Sequence, residues 1–232
     1  MSVQFPRHPT PPAEPPLSAH NAPVLRLGAG ETAVVGYGSL LSKTSLERTI
    51  GRRYNGPFEI AHLQRWRRTW DISMPNNAFY FVNREARVYP RAILYLNIHR
   101  DVQTSANVIV FALPAHELAA MHDREWIYTP EIVTMDLRDI DVIGGDAIAY
   151  VGRPEYELHG IHDPREAAIR ASYLRVIDDG LASMSAEYRI DFWRTTDAAP
   201  RDLVVEDTLD PERGTPWAGA GRVYQPWFPN DK

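Results

Sequence analysis

The chain has 232 residues, no cysteine, 44% hydrophobic and 24% charged residues. That is enough for one substantial domain or two small ones, and it excludes disulfide frameworks, thiolate metal sites and cysteine nucleophiles. With 25 Lys+Arg against 30 Asp+Glu the formal charge is −5, which argues against broad phosphate-backbone binding, so no nucleic-acid partner is expected.

Proline divides the chain. Seven of the 19 prolines fall in residues 6–23 and five between Pro200 and Pro229. This places a Pro-rich flexible tail over 1–30, a folded domain over 31–199 and an extended segment over 200–232. The last carries Trp217, Tyr224, Trp227 and Phe228, aromatics expected to pack on the domain rather than stand in water. The start lacks a charged segment followed by an apolar run, and nothing approaches the roughly 18 apolar residues of a membrane span, so a cytoplasmic location off the membrane is expected.

Within the domain, 32–37 is a short apolar run ending in glycine and predicts a buried strand. Residues 42–50 carry capping residues before Gly51 and predict a short helix. Strands are expected at 57–72, 92–98, 107–113, 127–137 and 146–151, and helices at 115–125 and 164–193. In the first of these strands, alternation puts Trp66 and Trp70 on one face and the arginines largely on the other. Residues 76–91, with Arg84, Arg87 and Arg91, read either as a solvated loop or as a basic rim suited to an acidic substrate. The order is strand-dominated without regular βαβ alternation, so the fold class is α+β, a small mixed β-barrel flanked by helices.

Two segments carry chemistry. Gly36-Tyr37-Gly38-Ser39-Leu40-Leu41 stands where a strand becomes a helix, and glycine there lets backbone amides converge on an anionic or carbonyl oxygen. An ordinary tight turn needs the same glycines. A dinucleotide fingerprint fails because Leu41 occupies the third glycine position. In Ala115–Tyr128, the residues Leu118, Met121 and Glu125 fall at i, i+3 and i+7 of a helix, so Glu125 lies on the apolar face while Asp123 and Arg124 point elsewhere. Burial would bring such a carboxyl toward the working range of a general base; a helix-end carboxylate bonded to amides is the other reading. The eight histidines show no metal-ligand spacing and no metal is expected, and no nucleophile elbow surrounds a serine.

Together, Val35–Leu40, Leu118–Tyr128, the arginine-tryptophan strand at 65–70, Ile93–Asn97, Ala147–Val151 and Tyr173-Leu174 resemble the γ-glutamylcyclotransferase family, which shares its fold with ChaC-like and AIG2-like proteins. The resemblance spans roughly residues 33–195. It implies release of 5-oxoproline and a free amine from γ-glutamyl amides, with no cofactor and with a γ-glutamyl small molecule as the partner. It makes Glu125 the catalytic acid/base. It places Tyr37, Gly38, Ser39, Leu40, Leu41, Tyr128 and Tyr173 around the substrate. The segment Asp163–Leu174 lacks the residues of the glutathione-specific branch, so glutathione is not implied. Where relatives often have glycine entering the fourth strand, this chain has Asn107-Val108. The same pocket acting on another small amide, or a non-catalytic module binding a glutamyl-like ligand, are the alternatives.

Overall fold

The computed structural model describes residues 22–213, so Trp217, Tyr224, Trp227 and Phe228 lie outside the described residues. In chain order come β1 (Val24–Arg26), β2 (Glu31–Gly36), α1 (Lys43–Ile50), β3 (Phe58–Pro75), β4 (Phe79–Asn83), β5 (Ala86–Val88), β6 (Ala92–Pro114) and α2 (Ala115–Arg124). Then follow β7 (Tyr128–Ile132), β8 (Leu137–Arg138), β9 (Asp141–Ile143), β10 (Ala147–Gly152), β11 (Ala167–Arg170), α3 (Ala171–Ala182), α4 (Ala186–Arg194), β12 (Val204–Val205) and β13 (Thr208–Leu209).

The frame is one long antiparallel ribbon. β3 and β6 pair from Phe58 opposite Phe111 to Pro75 opposite Ala92, with register shifts between Gln64 and Trp66 and between Thr69 and Ile72. Each shift adds unpaired residues to one strand, which bends the ladder and increases its twist. The bent ribbon curls into a half-barrel, extended by β2 antiparallel to β6, β10 parallel to β2, β7 antiparallel to β10, and β11 and β12 in parallel on the other side. Parallel and antiparallel pairs thus share one sheet, flanked by helices: an α+β fold. Sequence patterning splits β6 into two strands because Arg100–Ser105 is exposed or half-buried, so no face alternates there; residues 101–104 are unpaired and the ladder to β3 resumes on either side of them.

Local chemistry sets the ends of elements. The side chain of Ser42 caps α1 by accepting from Ser45 N–H at 3.3 Å, and Gly51 closes that helix with φ 72°, a left-handed conformation that costs glycine little. The expected helix over 164–193 is instead β11, α3 and α4. Ala167–Arg170 is wholly buried and lies between β6 and β12, and a short buried apolar run reads the same in either conformation. Ser185 then starts a new helix by accepting from Tyr188 N–H at 3.2 Å. The expected strand at 127–137 is β7, a 3₁₀ turn at Thr134–Asp136, and β8.

Arg68 corrects the reading of the tryptophan strand. It lies on the same inward face as Trp66 and Trp70 and is fully buried, whereas Arg65 and Arg67 are exposed. Its donors meet neutral oxygens: Asn107 C=O at 2.6 Å, Asn107 Oδ1 at 2.9 Å, Phe192 C=O at 3.0 Å, and the hydroxyls of Thr195 at 2.6 Å and Thr196 at 2.7 Å. The last three lie at the C-terminal end of α4, where the helix dipole favours a cation. Burial lowers the Arg68 pKa to about 10, so the guanidinium remains charged at neutral pH.

Both flanks of the 31–199 segment take part in the sheets. β1 runs parallel to β9, Leu203 is buried, and β13 pairs with β4. Residues 76–91 form the hairpin β4–β5 with Arg84 and Glu85 at positive φ in its turn. Arg87 covers the Tyr80 ring at 4.8 Å and lies 3.8 Å from Asp210. No helix among the described residues is long and apolar enough to cross a membrane.

Candidate active site

α2 is anchored by Met121, which is fully buried, and ends at Arg124. Glu125 is its C-cap: its N–H donates to Met121 C=O at 2.9 Å, and its own carbonyl accepts from Tyr128 N–H at 2.8 Å. This turn places the carboxylate and the Tyr128 phenol side by side. The Glu125 side chain is 14% exposed. Burial raises its pKa above the ordinary carboxyl range, against the pull of the Arg124 charge, and the negative end of α2 acts in the same direction as burial.

Arg124 does not point away, as helical phase suggests. Its Nε lies 3.0 Å from Glu125 Oε1, and its Nη2 donates to Ser39 Oγ at 2.7 Å and Ser45 Oγ at 3.1 Å. Nη1 donates to Thr49 Oγ1 at 2.7 Å and Ser45 C=O at 3.2 Å. The helix stops at Arg124, so the 100° step between neighbours no longer separates it from Glu125. One guanidinium therefore ties the acid to the glycine turn and to α1.

The glycine turn has tight walls. A Cβ on Gly36 would lie 2.9 Å from Leu40 Cβ and 3.1 Å from Leu40 O, and one on Gly38 would lie 3.1 Å from the Tyr173 hydroxyl. Leu40 and Leu41 bury their side chains in the core, so these two residues can serve a ligand only through the backbone. Leu41 N–H is spent on Gly38 C=O at 3.0 Å and Ser42 N–H on Ser39 C=O at 3.2 Å. This leaves Ser39 and Leu40 as the amides that open the turn, and removes Leu41 from the expected set of donors.

The tyrosines converge because of the second bulge in the ribbon. Leu96 lies between Tyr95 and Asn97, opposite the bulged Trp70-Asp71, where its peptide groups face side chains. Its carbonyl accepts from the Tyr128 hydroxyl at 2.9 Å and its N–H donates to the Tyr173 hydroxyl at 3.4 Å. Among the described residues the Tyr173 O–H proton has no acceptor, so it can be given to a ligand. The Tyr173 ring meets Tyr95 edge to face at 4.9 Å and Trp70 at 6.3 Å. Tyr37 donates to Tyr150 C=O at 2.5 Å, and the Tyr150 hydroxyl lies 2.8 Å from His122 Nδ1. Burial, and after it the charge of Glu125 among others, raises the pKa of Tyr37, Tyr95, Tyr128, Tyr150 and Tyr173. All five phenols hold their protons at neutral pH.

The structure thus groups Glu125, Tyr37, Gly38, Ser39, Tyr128 and Tyr173. It adds Arg124, Tyr150, Tyr95, Trp70 and the Leu96 backbone, which sequence reading does not assign to the site. The continuous buried run of β10 includes Tyr150, but only the closure of the sheet brings it to Tyr37. Among the described residues no cluster of three or more histidine, aspartate or glutamate side chains is arranged to hold a metal ion. What the group can do is accept a proton at one shielded carboxylate beside hydrogen-bond donors.

No protein-family model matches the chain, and no curated protein matches it. Among solved structures it is similar to a gamma-glutamyl cyclotransferase, with 13% identity over 71% of this chain and 88% of that one, at a TM-score of 0.48. It is also similar to YkqA of Bacillus subtilis, with 15% identity, 73% and 55% coverage and a TM-score of 0.48, so the match spans about half of that protein. An uncharacterized protein of Homo sapiens is similar at 14% identity, 73% and 92% coverage and a TM-score of 0.46.

Proposed function

We propose that this protein is a γ-glutamyl-amide cyclotransferase in which Glu125 is the general acid/base. The observation that carries the reading is a single largely buried carboxylate with a raised pKa, held by Arg124 beside a glycine turn and a wall of protonated phenols.

The reaction needs little else. The substrate α-amine and γ-carbonyl belong to one side chain, so attack closes a five-membered ring with high effective molarity once the chain is held bent. Glu125 takes a proton from the α-ammonium, and the freed nitrogen attacks the γ-carbonyl carbon. The ring nitrogen sheds a second proton and the departing nitrogen takes one from Glu125 as the amide C–N bond breaks. A further proton from solvent ionises the released amine, so the two protons lost by the ammonium balance the two gained. The transient oxyanion is suited to the Ser39 and Leu40 amides, and the Tyr173 proton to a substrate oxygen. A base whose pKa is raised toward the working pH accepts and returns the proton with less penalty than an ordinary carboxylate.

The test is mass-spectrometric detection of 5-oxoproline after incubating the wild type and Glu125→Gln with γ-glutamyl amino acids, γ-glutamyl amines and glutathione. Ring product from the wild type alone supports the reading, and the released amine names the substrate. Free glutamate without ring product points to another amide chemistry. A retained, unprocessed ligand points to a binding module.

A further inference from the structure

A second concave surface lies apart from the tyrosine site and shares none of its residues. It encloses about 580 Å³, and its lining includes Thr69 and Asp71 of β3, His99 and Arg100 of β6, and Arg67. Its floor is built from within. Asp71 Oδ1 accepts from Thr69 Oγ1 at 2.9 Å and Asn97 Nδ2 at 3.0 Å, while Oδ2 faces His99 Nε2 at 2.8 Å. Asn97 is fully buried and is itself fixed by Gly152 N–H, which donates to its Oδ1 at 2.7 Å. Asn97 therefore orients Asp71, and Asp71 orients the imidazole, with Nε2–H toward the carboxylate and Nδ1 left for a ligand.

The charges decide which ligand. Both Asp71 oxygens are occupied and Asp101 Oδ1 accepts from Gln103 N–H at 3.0 Å, so among the described residues the lining carboxylates offer a cation only Asp101 Oδ2. The arginines face the other way. Arg67 uses Nε and Nη2 on Asp197, and Arg100 uses Nη1 on Asp136; neither of these aspartates lines the cavity. Among the described residues this leaves Arg67 Nη1 and Arg100 Nε and Nη2 without an acceptor, on side chains about half exposed.

We propose that this cavity is a second binding site, for a small oxyanion of the phosphate or carboxylate type, with His99, Arg67 and Arg100 as its donors. Three cationic side chains line the same open space of about 580 Å³, and they fit such a group by charge and by hydrogen-bond count. The groups acting on His99 are Asp71 from β3, Glu157 from the segment after β10 and Asp197 from the segment after α4, with Arg67, Arg100, Asp101 and His159 around the same cavity. The bond to Asp71 raises the imidazole pKa; binding therefore weakens as pH rises and the imidazolium is lost.

The test is an NMR titration of the histidine ring nitrogens at pH 6.5 with inorganic phosphate and, separately, with succinate, each at constant ionic strength in sodium chloride. The expected result is a saturable shift of the His99 signal with at least one anion and none with chloride. Arg67→Gln and His99→Gln should each weaken binding about tenfold, the loss of one charge-assisted hydrogen bond. The second variant is followed by isothermal titration calorimetry, and the wild-type affinity should fall between pH 6 and 8. Absence of saturation with both anions, an equal response to chloride, or unchanged affinity in both variants would overturn the site. Saturation by phosphate alone or succinate alone supports it and fixes the anion.

Discussion

Arg124 Nη2 donates to Ser39 Oγ at 2.7 Å, across 85 residues of sequence, and the same guanidinium touches the Glu125 carboxylate. The base and the glycine turn are therefore parts of one hydrogen-bonded unit. Removing the cation removes the charge that, among the described residues, lowers the Glu125 pKa against burial. Arg124→Gln should shift the acid limb of the kcat/KM profile to higher pH, with activity along that limb falling about tenfold for each pKa unit of the shift. An unchanged acid limb would show that Arg124 only braces the fold.

Glu125→Gln should reduce kcat by about 10²–10⁴, the usual contribution of a general acid/base. Its stability should move the opposite way. Because burial raises the folded-state pKa above the unfolded value near 4.5, ionisation costs folding free energy. That cost is absent at pH below the unfolded pKa and grows as pH rises through the folded pKa. The variant should melt no lower than the wild type at neutral pH, and the gap should close below about pH 4.5. Paired thermal melts at pH 4 and 7 check the sign.

Tyr128→Phe removes the donor to the Leu96 carbonyl, bonded at 2.9 Å beside the bulge. A buried carbonyl left unpaired costs about 1–3 kcal/mol, read as a lower midpoint in chemical denaturation. If Tyr128 lines the substrate site of the proposed reaction without exchanging protons, KM should rise more than kcat falls.

Gly36→Ala puts a methyl group 2.9 Å from Leu40 Cβ and 3.1 Å from its carbonyl oxygen. The turn must shift to relieve the overlap, at about 1–3 kcal/mol, and the Ser39 and Leu40 amides shift with it. Loss of activity should therefore exceed the fraction unfolded, measured by comparing kcat with circular dichroism at the same temperature.

Arg68→Leu leaves the Asn107 carbonyl and the end of α4 without their shared donor. Each buried acceptor left unpaired costs about 1–3 kcal/mol, so the variant should show a large loss of thermal stability. Asn107 has partners on both sides: its side chain accepts from Arg68 and donates to Tyr188 C=O at 2.8 Å.

Short-range patterns were sufficient for the strand-turn-helix around Gly36–Gly51, for α2 and for the inward phase of Glu125, because each depends on residues within one or two turns of the chain. The strand-dominated order of the elements sufficed for an α+β fold. Patterning failed where burial came from both sides or from neither. Ala167–Arg170 is buried by two flanking strands and looks helical in sequence, whereas Arg100–Ser105 is exposed or half-buried and leaves residues 101–104 unpaired inside one long strand. Arg68 defeats the polarity rule because its partners lie 39 to 128 residues away.

The sequence by itself determined which residue types were available: one acid in phase with an apolar helix face, a glycine turn and a set of tyrosines. Tertiary structure decided their use. Curling of the bent β3–β6 ribbon put Leu96 between Tyr128 and Tyr173, brought Tyr150 under Tyr37 and turned Arg124 from a presumed surface cation into the link between acid and loop. The physical reason is that hydrogen bonds and charge interactions act over a few ångströms of space, and only the folded sheet brings residues so far apart in sequence to that distance.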